Sequence, residues 1–192
     1  YEHINFTDKH FSIGTIDSIK DRVITVNGVS KGFAMTGWRV GFIGAPLWIA
    51  KACNKIQGQV TSATCAIAQK ATEEAMNADP KIVTNEMKNS FLKRRDLLLK
   101  KLNSIKGIKC NIPDGAFYIF PDVSYFFGKS DGDKVIKNAD DLCMYLLNSC
   151  YVALVSGAPF GNPECVRISY AASENNLLEA AKRIRIQLEK LK

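Results

Sequence analysis

Ser30-Lys31-Gly32-Phe33-Ala34-Met35-Thr36-Gly37-Trp38-Arg39-Val40-Gly41 is the stretch whose reading decides the fold. It is dense in glycine and small residues and lies between two apolar runs, residues 22–26 and 40–43, which read as short strands. Asn27-Gly28 gives a turn signal after the first run, and Gly44-Ala45-Pro46 closes the second. Lys31 has no acidic residue beside it, and an ammonium among small and apolar neighbours is costly to bury unless it is paired, neutral or used covalently. Alone, a lysine in a glycine-rich loop reads as a surface residue. Arg39, bracketed by Gly37 and Gly41, changes that reading. Glycine lets a backbone approach a ligand closely, and a guanidinium can grip a phosphate with two hydrogen bonds.

Outward from this stretch, residues 46–57 are patterned as a helix with Pro46 in its first turn, where a missing N–H costs little. A second helix is expected over 63–77, with Thr61-Ser62 as its cap. Asn77-Ala78-Asp79-Pro80 breaks it. Apolar residues at Met87, Phe91, Leu98, Leu102 and Ile105 then predict a helix over 80–105. At ~1.5 Å per residue it would be roughly 40 Å long, more than a small domain needs, so it is read as a bridge between two lobes. Strands are expected at 108–112 and 116–120, joined by Pro113-Asp114-Gly115, and a polar loop at 128–133. A helix over 140–150, strands at 152–155 and 165–169, and a last helix complete the pattern. Ser173 is the last helix's N-cap, and Leu177, Ala181, Ile184, Leu188 and Leu191 form its apolar stripe. The class is α/β, divided into residues 1–78 and 79–192.

The 192 residues are 46% hydrophobic and 23% charged, values of a globular chain and not a disordered one. No apolar run approaches the ~20 residues of a membrane-spanning helix, and no secretory signal opens the chain. The net charge of +7 raises nucleic acid as a partner. However, Lys93-Arg94-Arg95 and Lys182-Arg183-Ile184-Arg185 read as solvated helix faces, and no zinc-finger spacing or basic arm accompanies them. Nucleic acid and membrane are therefore set aside. Six cysteines without a C-x-x-C pair, and only two histidines, predict buried free thiols, no metal site and a reducing, cytoplasmic setting. His3 and His10 read as surface or loop residues, and Trp38 and Trp48 as core or dimer-interface aromatics.

The stretch 30–41 resembles the lysine motif of the class I and II aminotransferases that use pyridoxal 5'-phosphate (PLP), most closely the bacterial-type aspartate aminotransferase branch, which includes prephenate and aromatic aminotransferases. Two further segments resemble the same family in the same order. Asp114-Gly115-Ala116-Phe117-Tyr118 is similar to its small-domain hairpin, and Ala158-Pro159-Phe160-Gly161 with Val166-Arg167-Ile168-Ser169-Tyr170 to its carboxylate-binding segment. The resemblance implies fold type I, with residues 1–78 as the C-terminal part of the large PLP-binding domain. Residues 79–192 would be the bridging helix and the small α+β C-terminal domain.

The resemblance also implies roles. Lys31 holds the cofactor as a Schiff base and, once released, carries a proton between the substrate Cα and the cofactor. Arg39 binds the cofactor phosphate, with the Ser30 hydroxyl beside it. The family often has a serine three residues before the lysine, where this chain has Gly28. Tyr1 aligns with the tyrosine of an Asp-x-x-Tyr-Glu stretch and would meet the cofactor's phenolic oxygen. Arg167 aligns with the arginine that takes the substrate α-carboxylate. Residues 57–64 would lie near a neighbouring subunit's active site or simply link two helices. The implied substrates are amino acids and 2-oxo acids, and the implied assembly is a homodimer. The expected reaction is aspartate plus 2-oxoglutarate to oxaloacetate plus glutamate. Prephenate or aromatic transamination, a less favoured PLP lyase, and a non-catalytic chain are the alternatives. Matching only the C-terminal half of such enzymes, these residues alone are expected to show little or no turnover.

Overall fold

A computed structural model describes residues 1–7 and 10–192 of the chain. The fold comprises two compact units, Tyr1–Lys88 and Asn89–Lys192. The dividing line falls inside a long helix, ten residues beyond the position read from sequence.

In the first unit, β1 (Thr25–Gly28) and β2 (Gly41–Gly44) form an antiparallel pair, with Gly28 opposite Gly41 and Thr25 opposite Gly44. The first strand thus starts later than expected, because Asp17–Arg22 winds into a 3-10 helix. Asn27-Gly28 is not a turn: Gly28 ends the strand and caps α1 (Val29–Gly32). Lys31 consequently lies on a short helical turn, not in an irregular loop. A 3-10 turn at Thr36–Trp38 returns the chain to β2. Then come α2 (Leu47–Val60), capped by Pro46, and α3 (Ala66–Asn77). The expected Thr61-Ser62 cap of α3 is corrected. Thr61 instead closes α2, donating its N–H to the Gln57 carbonyl at 3.0 Å, and Ser62 takes a left-handed φ of 65°, which leaves Cys65 as the N-cap.

The long helix α4 (Pro80–Leu102) contributes Phe91, Leu98, Leu99 and Leu102 to the buried set of the second unit. Here a three-stranded antiparallel sheet has the order β3 (Tyr118–Ile119), β7 (Val166–Ser169), β6 (Val155–Ser156). The hairpin expected over 108–120 does not form. Residues 108–112 make a single bridge, Lys109 to Asp122, and β3 pairs with β7 from far along the chain. The polar loop at 128–133 is itself a small hairpin of β4 (Ser130–Asp131) and β5 (Lys134–Val135).

Helix α5 (Ala139–Cys150) starts where the Asn138 side chain accepts from the Asp141 N–H at 2.9 Å. Helix α6 (Glu174–Leu188) starts at the expected cap, with Ser173 Oγ accepting from the Asn176 N–H. Its expected stripe is buried at Leu177, Ala181, Ile184 and Leu188, and Leu191 is buried just beyond the helix.

All six cysteines are free, but only Cys143 and Cys165 are buried; Cys53 and Cys65 are exposed on the poorly covered first unit. Trp38 and Trp48 are exposed and belong to no core within the described residues. His3 lies in a turn, as expected, and is only partly exposed, with its ring edge-on against Phe33 at 5.1 Å. Among the described residues no helix is long and apolar enough to cross a membrane, and no group of three or more His, Cys, Asp or Glu is placed to hold a metal ion.

Candidate functional site

The β1–β2 register settles where Lys31 and Arg39 emerge. Gly28 and Gly41 face each other at one end of the ladder, Lys31 lies three residues past the first and Arg39 two residues before the second. Both residues therefore sit in the connection at the same end of the ladder. The approach is close enough to require glycine at position 28, where a Cβ would stand 2.9 Å from the Val40 carbonyl oxygen. That spacing gives a steric reason for the departure noted at this position. Serine would crowd the neighbouring backbone there, and the hydroxyl beside Lys31 in this turn is that of the half-buried Ser30.

Between the two cations the chain is tightly wound. The Phe33 N–H donates to Val29 O at 3.2 Å, Ala34 N–H to Lys31 O at 3.3 Å and Trp38 N–H to Met35 O at 3.2 Å. Ala34 and Arg39 both adopt left-handed backbone, with φ of 53° and 54°. Such a conformation costs about 1 kcal/mol or more for a residue with a Cβ and is held by its surroundings. At Arg39 one hold is visible: Nη1 donates to the Thr36 carbonyl at 2.9 Å. Among the described residues no carboxylate pairs with this guanidinium, so its remaining N–H groups are available to an anion. Lys31 and Arg39 are both exposed.

The segment that begins at Tyr1 is fastened beside this turn. The Tyr1 carbonyl accepts from the Ile4 N–H at 2.8 Å, and Ile4 is fully buried. Asn27 Nδ2 donates to Glu2 Oε1 at 2.6 Å, while Asn27 Oδ1 accepts from the Gly28 N–H at 2.7 Å. Burial pushes the Glu2 carboxyl up, but the Asn27 hydrogen bond, its own backbone amide and the adjacent ammonium outweigh this and hold it at about 2. Across the turn, His3 fills the space at Gly32, where a Cβ would come within 2.6 Å of the imidazole. Glu2, His3 and Asn27 thus position the lysine turn, a role no local pattern announces because it joins residues about 25 positions apart.

Arg167 lies in the second unit, on the central strand of its sheet. Val166 and Ile168 are buried and Arg167 is half-exposed, the alternation of a strand with one covered face. Its guanidinium carbon stands 4.6 Å from the Tyr118 ring centroid and 4.4 Å from that of Phe160. No carboxylate pairs with it among the described residues. Tyr118 and Phe160 were not singled out from sequence as neighbours of Arg167. The period-2 pattern of 116–120 carried the signal for Tyr118, whereas Phe160 reaches Arg167 from a loop.

Ser30, Lys31 and Arg39 thus gather at one end of the β1–β2 ladder, beside the turn that starts at Tyr1, and Arg167 stands on its own sheet. A primary amine, a hydroxyl and a guanidinium with no carboxylate partner among the described residues suit a ligand bearing a carbonyl and a phosphate. A guanidinium on a rigid strand suits a carboxylate.

Comparison with known proteins identifies the family. The family described as aminotransferase class I and II matches residues 1–184. A bifunctional aspartate aminotransferase and glutamate/aspartate-prephenate aminotransferase of Petunia hybrida is 46% identical over 100% of this chain and 41% of its own length. The crystal structure of the aspartate aminotransferase from Rhizobium meliloti superposes with a TM-score of 0.94 at 42% identity, covering 100% of this chain and 48% of that one. An aromatic aminotransferase from Pyrococcus horikoshii OT3 gives 0.86 at 36% identity, over 98% and 49%. The chain spans about half the length, or less, of the relatives it matches, and the fold it shares with them is that of the fold-type-I transferases. With a match over nearly its whole length, the chain belongs to the aminotransferase class I and II family.

Proposed function

We propose that the chain supplies the lysine-bearing part of a PLP-dependent aminotransferase, with aspartate and 2-oxoglutarate as substrates and oxaloacetate and glutamate as products. The observation that carries this is the Gly28–Gly41 pairing, which puts Lys31 and Arg39 in the connection at one end of the same ladder. The Lys31 amine would hold the cofactor and would take and return the proton at the substrate Cα. Arg39 and the Ser30 hydroxyl hold the phosphate, and the Tyr1 hydroxyl donates to the phenolic oxygen. Arg167 holds the substrate α-carboxylate. When bound, pyridoxal phosphate supplies the carbonyl that exchanges the amine and the ring that withdraws electrons from Cα.

On this reading residues 1–88 belong to the large cofactor-binding domain and residues 89–192 to the small one, in a cytoplasmic homodimer. Prephenate or aromatic donors form the second reading, favoured by the names of the relatives in Petunia and Pyrococcus. Donor profiling of a protein of the relatives' length separates the two, and these 192 residues alone are expected to turn over little. The direct test is to incubate the chain with pyridoxal phosphate, reduce with borohydride and map the labelled peptide. Label concentrated at Lys31, absent in Lys31→Ala, is expected. Arg39→Ala should weaken cofactor binding by roughly tenfold or more, the value of a charge-assisted hydrogen bond. Label spread evenly over surface lysines, unchanged by Lys31→Ala, would overturn the proposal.

A further inference from the structure

Arg167 is held by aromatic rings rather than by an acid. By the β3–β7 register, Tyr118 opposes Ser169 and Ile119 opposes Ile168, which sets Tyr118 diagonal to Arg167 on the same sheet face. Phe160 arrives from the loop 157–165, which is tied into one shape. The Gly157 N–H donates to Cys165 O at 2.8 Å, Phe160 N–H to Gly157 O at 2.8 Å and Gly161 N–H to Ala158 O at 3.1 Å. A Cβ at Gly157 would stand 2.2 Å from the Asn162 carbonyl oxygen, and Gly161 turns the chain with φ of 86°. This tight loop leaves Phe160 48% exposed yet seated against the guanidinium, with the Phe120 ring packed edge-on at 6.3 Å.

We propose that Phe160 and Tyr118 are positioning residues that fix the Arg167 guanidinium before a carboxylate arrives, an inference that rests on reading Arg167 as the carboxylate anchor. An acidic partner would occupy the N–H groups that the ligand needs. Aromatic rings attract the cation through their faces and leave those in-plane donors unspent. They also remove rotamer freedom from a long side chain in advance, so less is lost on binding.

The test uses the 192-residue chain with 2-oxoglutarate as probe, followed through the Arg167 Nε–Hε resonance. In the wild-type chain the two rings should place this resonance upfield, and titration should shift it further. Phe160→Leu should abolish part of the upfield shift and weaken 2-oxoglutarate about fivefold to tenfold, as loss of a partly desolvated cation–π contact implies. Phe160→Tyr, which keeps the ring, should restore both. Tyr118→Leu gives an independent second arm should Phe160→Leu disturb the loop. If Arg167→Ala abolishes binding while both leucine variants retain wild-type affinity, the positioning role falls and the carboxylate reading stands. If Arg167→Ala leaves affinity unchanged, or the wild-type resonance does not respond to 2-oxoglutarate, the carboxylate reading itself falls.

Discussion

Helix α2 in the first unit buries none of its 14 residues, whereas α5 in the second buries Ala139, Leu142, Cys143, Tyr145 and Leu146 out of 12. The contrast holds beyond these helices. Among described residues the first unit's buried apolar side chains are Ile4, Val29 and Ala68, while Trp48, Val60 and Ile67 are more than 70% exposed. The second unit closes a core around Leu98, Leu102, Ile119, Leu142, Leu146, Val166 and Tyr170. Both units carry proposed site residues. The second one can hold Arg167 on a sheet backed by its own core. The first one holds Lys31 by close glycine contacts and the Tyr1–Ile4 turn, with most of its apolar helix surface uncovered. Large exposed apolar areas of this kind mark surfaces meant to be covered.

The sharpest way to break this contrast is to truncate one leucine-sized side chain in each unit. Leu146→Ala, at 1% exposure, should cost roughly 2–5 kcal/mol of second-unit stability through lost burial and the cavity left behind. Ile67→Ala, at 74% exposure, should fall within about 0.5 kcal/mol of wild type. Urea unfolding can follow the units separately, because both tryptophans lie in the first and five of the six tyrosines in the second. Equal costs for the two substitutions would show that Ile67 is covered in solution, for example by a second copy of the chain.

A smaller effect belongs to the second unit alone. Tyr145 donates to Asp131 Oδ2 at 2.8 Å and accepts from Gln187 Nε2 at 2.6 Å, and Gln187 is itself buried. Burial, then the Asp131 hydrogen bond, pushes the Tyr145 phenol up to about 12, and burial does the same for Tyr170. Both phenols bind their protons more tightly in the folded state than in the unfolded one. Their contribution is therefore complete below pH ~10 and is lost as pH rises through ~12. Second-unit melting temperature should fall over that window. Tyr145→Phe, which strands Gln187 and Asp131, should cost about 1–3 kcal/mol at neutral pH and shrink the alkaline loss. A melting curve flat between pH 10 and 12 would contradict this account.

The same contrast explains what could be read from sequence. Periodicity found α4, α5, α6 and the Arg167 strand because those elements bury a regular face, and burial is what writes a pattern into a sequence. The motif around Lys31 was legible as chemistry but not as geometry. Gly28 has extended backbone and glycine there answers the Val40 carbonyl, a contact that only the folded hairpin creates. The expected 108–120 hairpin failed for a related reason: alternation in 116–120 identifies a strand but not its partner, which is Val166–Ser169. Tyr118 and Phe160 lie in motifs that the sequence shows, but their contact with Arg167 was not legible, because it forms through register and loop closure, not through spacing along the chain. The burial expected of every cysteine failed at Cys53 and Cys65, in the unit whose apolar residues lack cover.

The smallest predicted effects compare helix starts. Ser173 Oγ accepts from the Asn176 N–H at 3.2 Å and satisfies one of the donors that open α6. Cys65 occupies the same place before α3, with φ of −49° and ψ of 127°, but its side chain makes no capping hydrogen bond. The Ala68 and Ile67 amides face the thiol and lower its pKa, but sulfur is a weak acceptor, so the first turn of α3 is only weakly capped. Ser173→Ala should therefore destabilise the second unit by about 1 kcal/mol. Cys65→Ser should stabilise the first by a few tenths of a kcal/mol up to ~1, since a hydroxyl can reach the same amides from an extended residue. The two changes need opposite signs in otherwise identical denaturation experiments. Were Cys65→Ser destabilising instead, the thiol would have to be making a contact that a smaller, more polar group cannot replace, and α3 would be covered on that side after all.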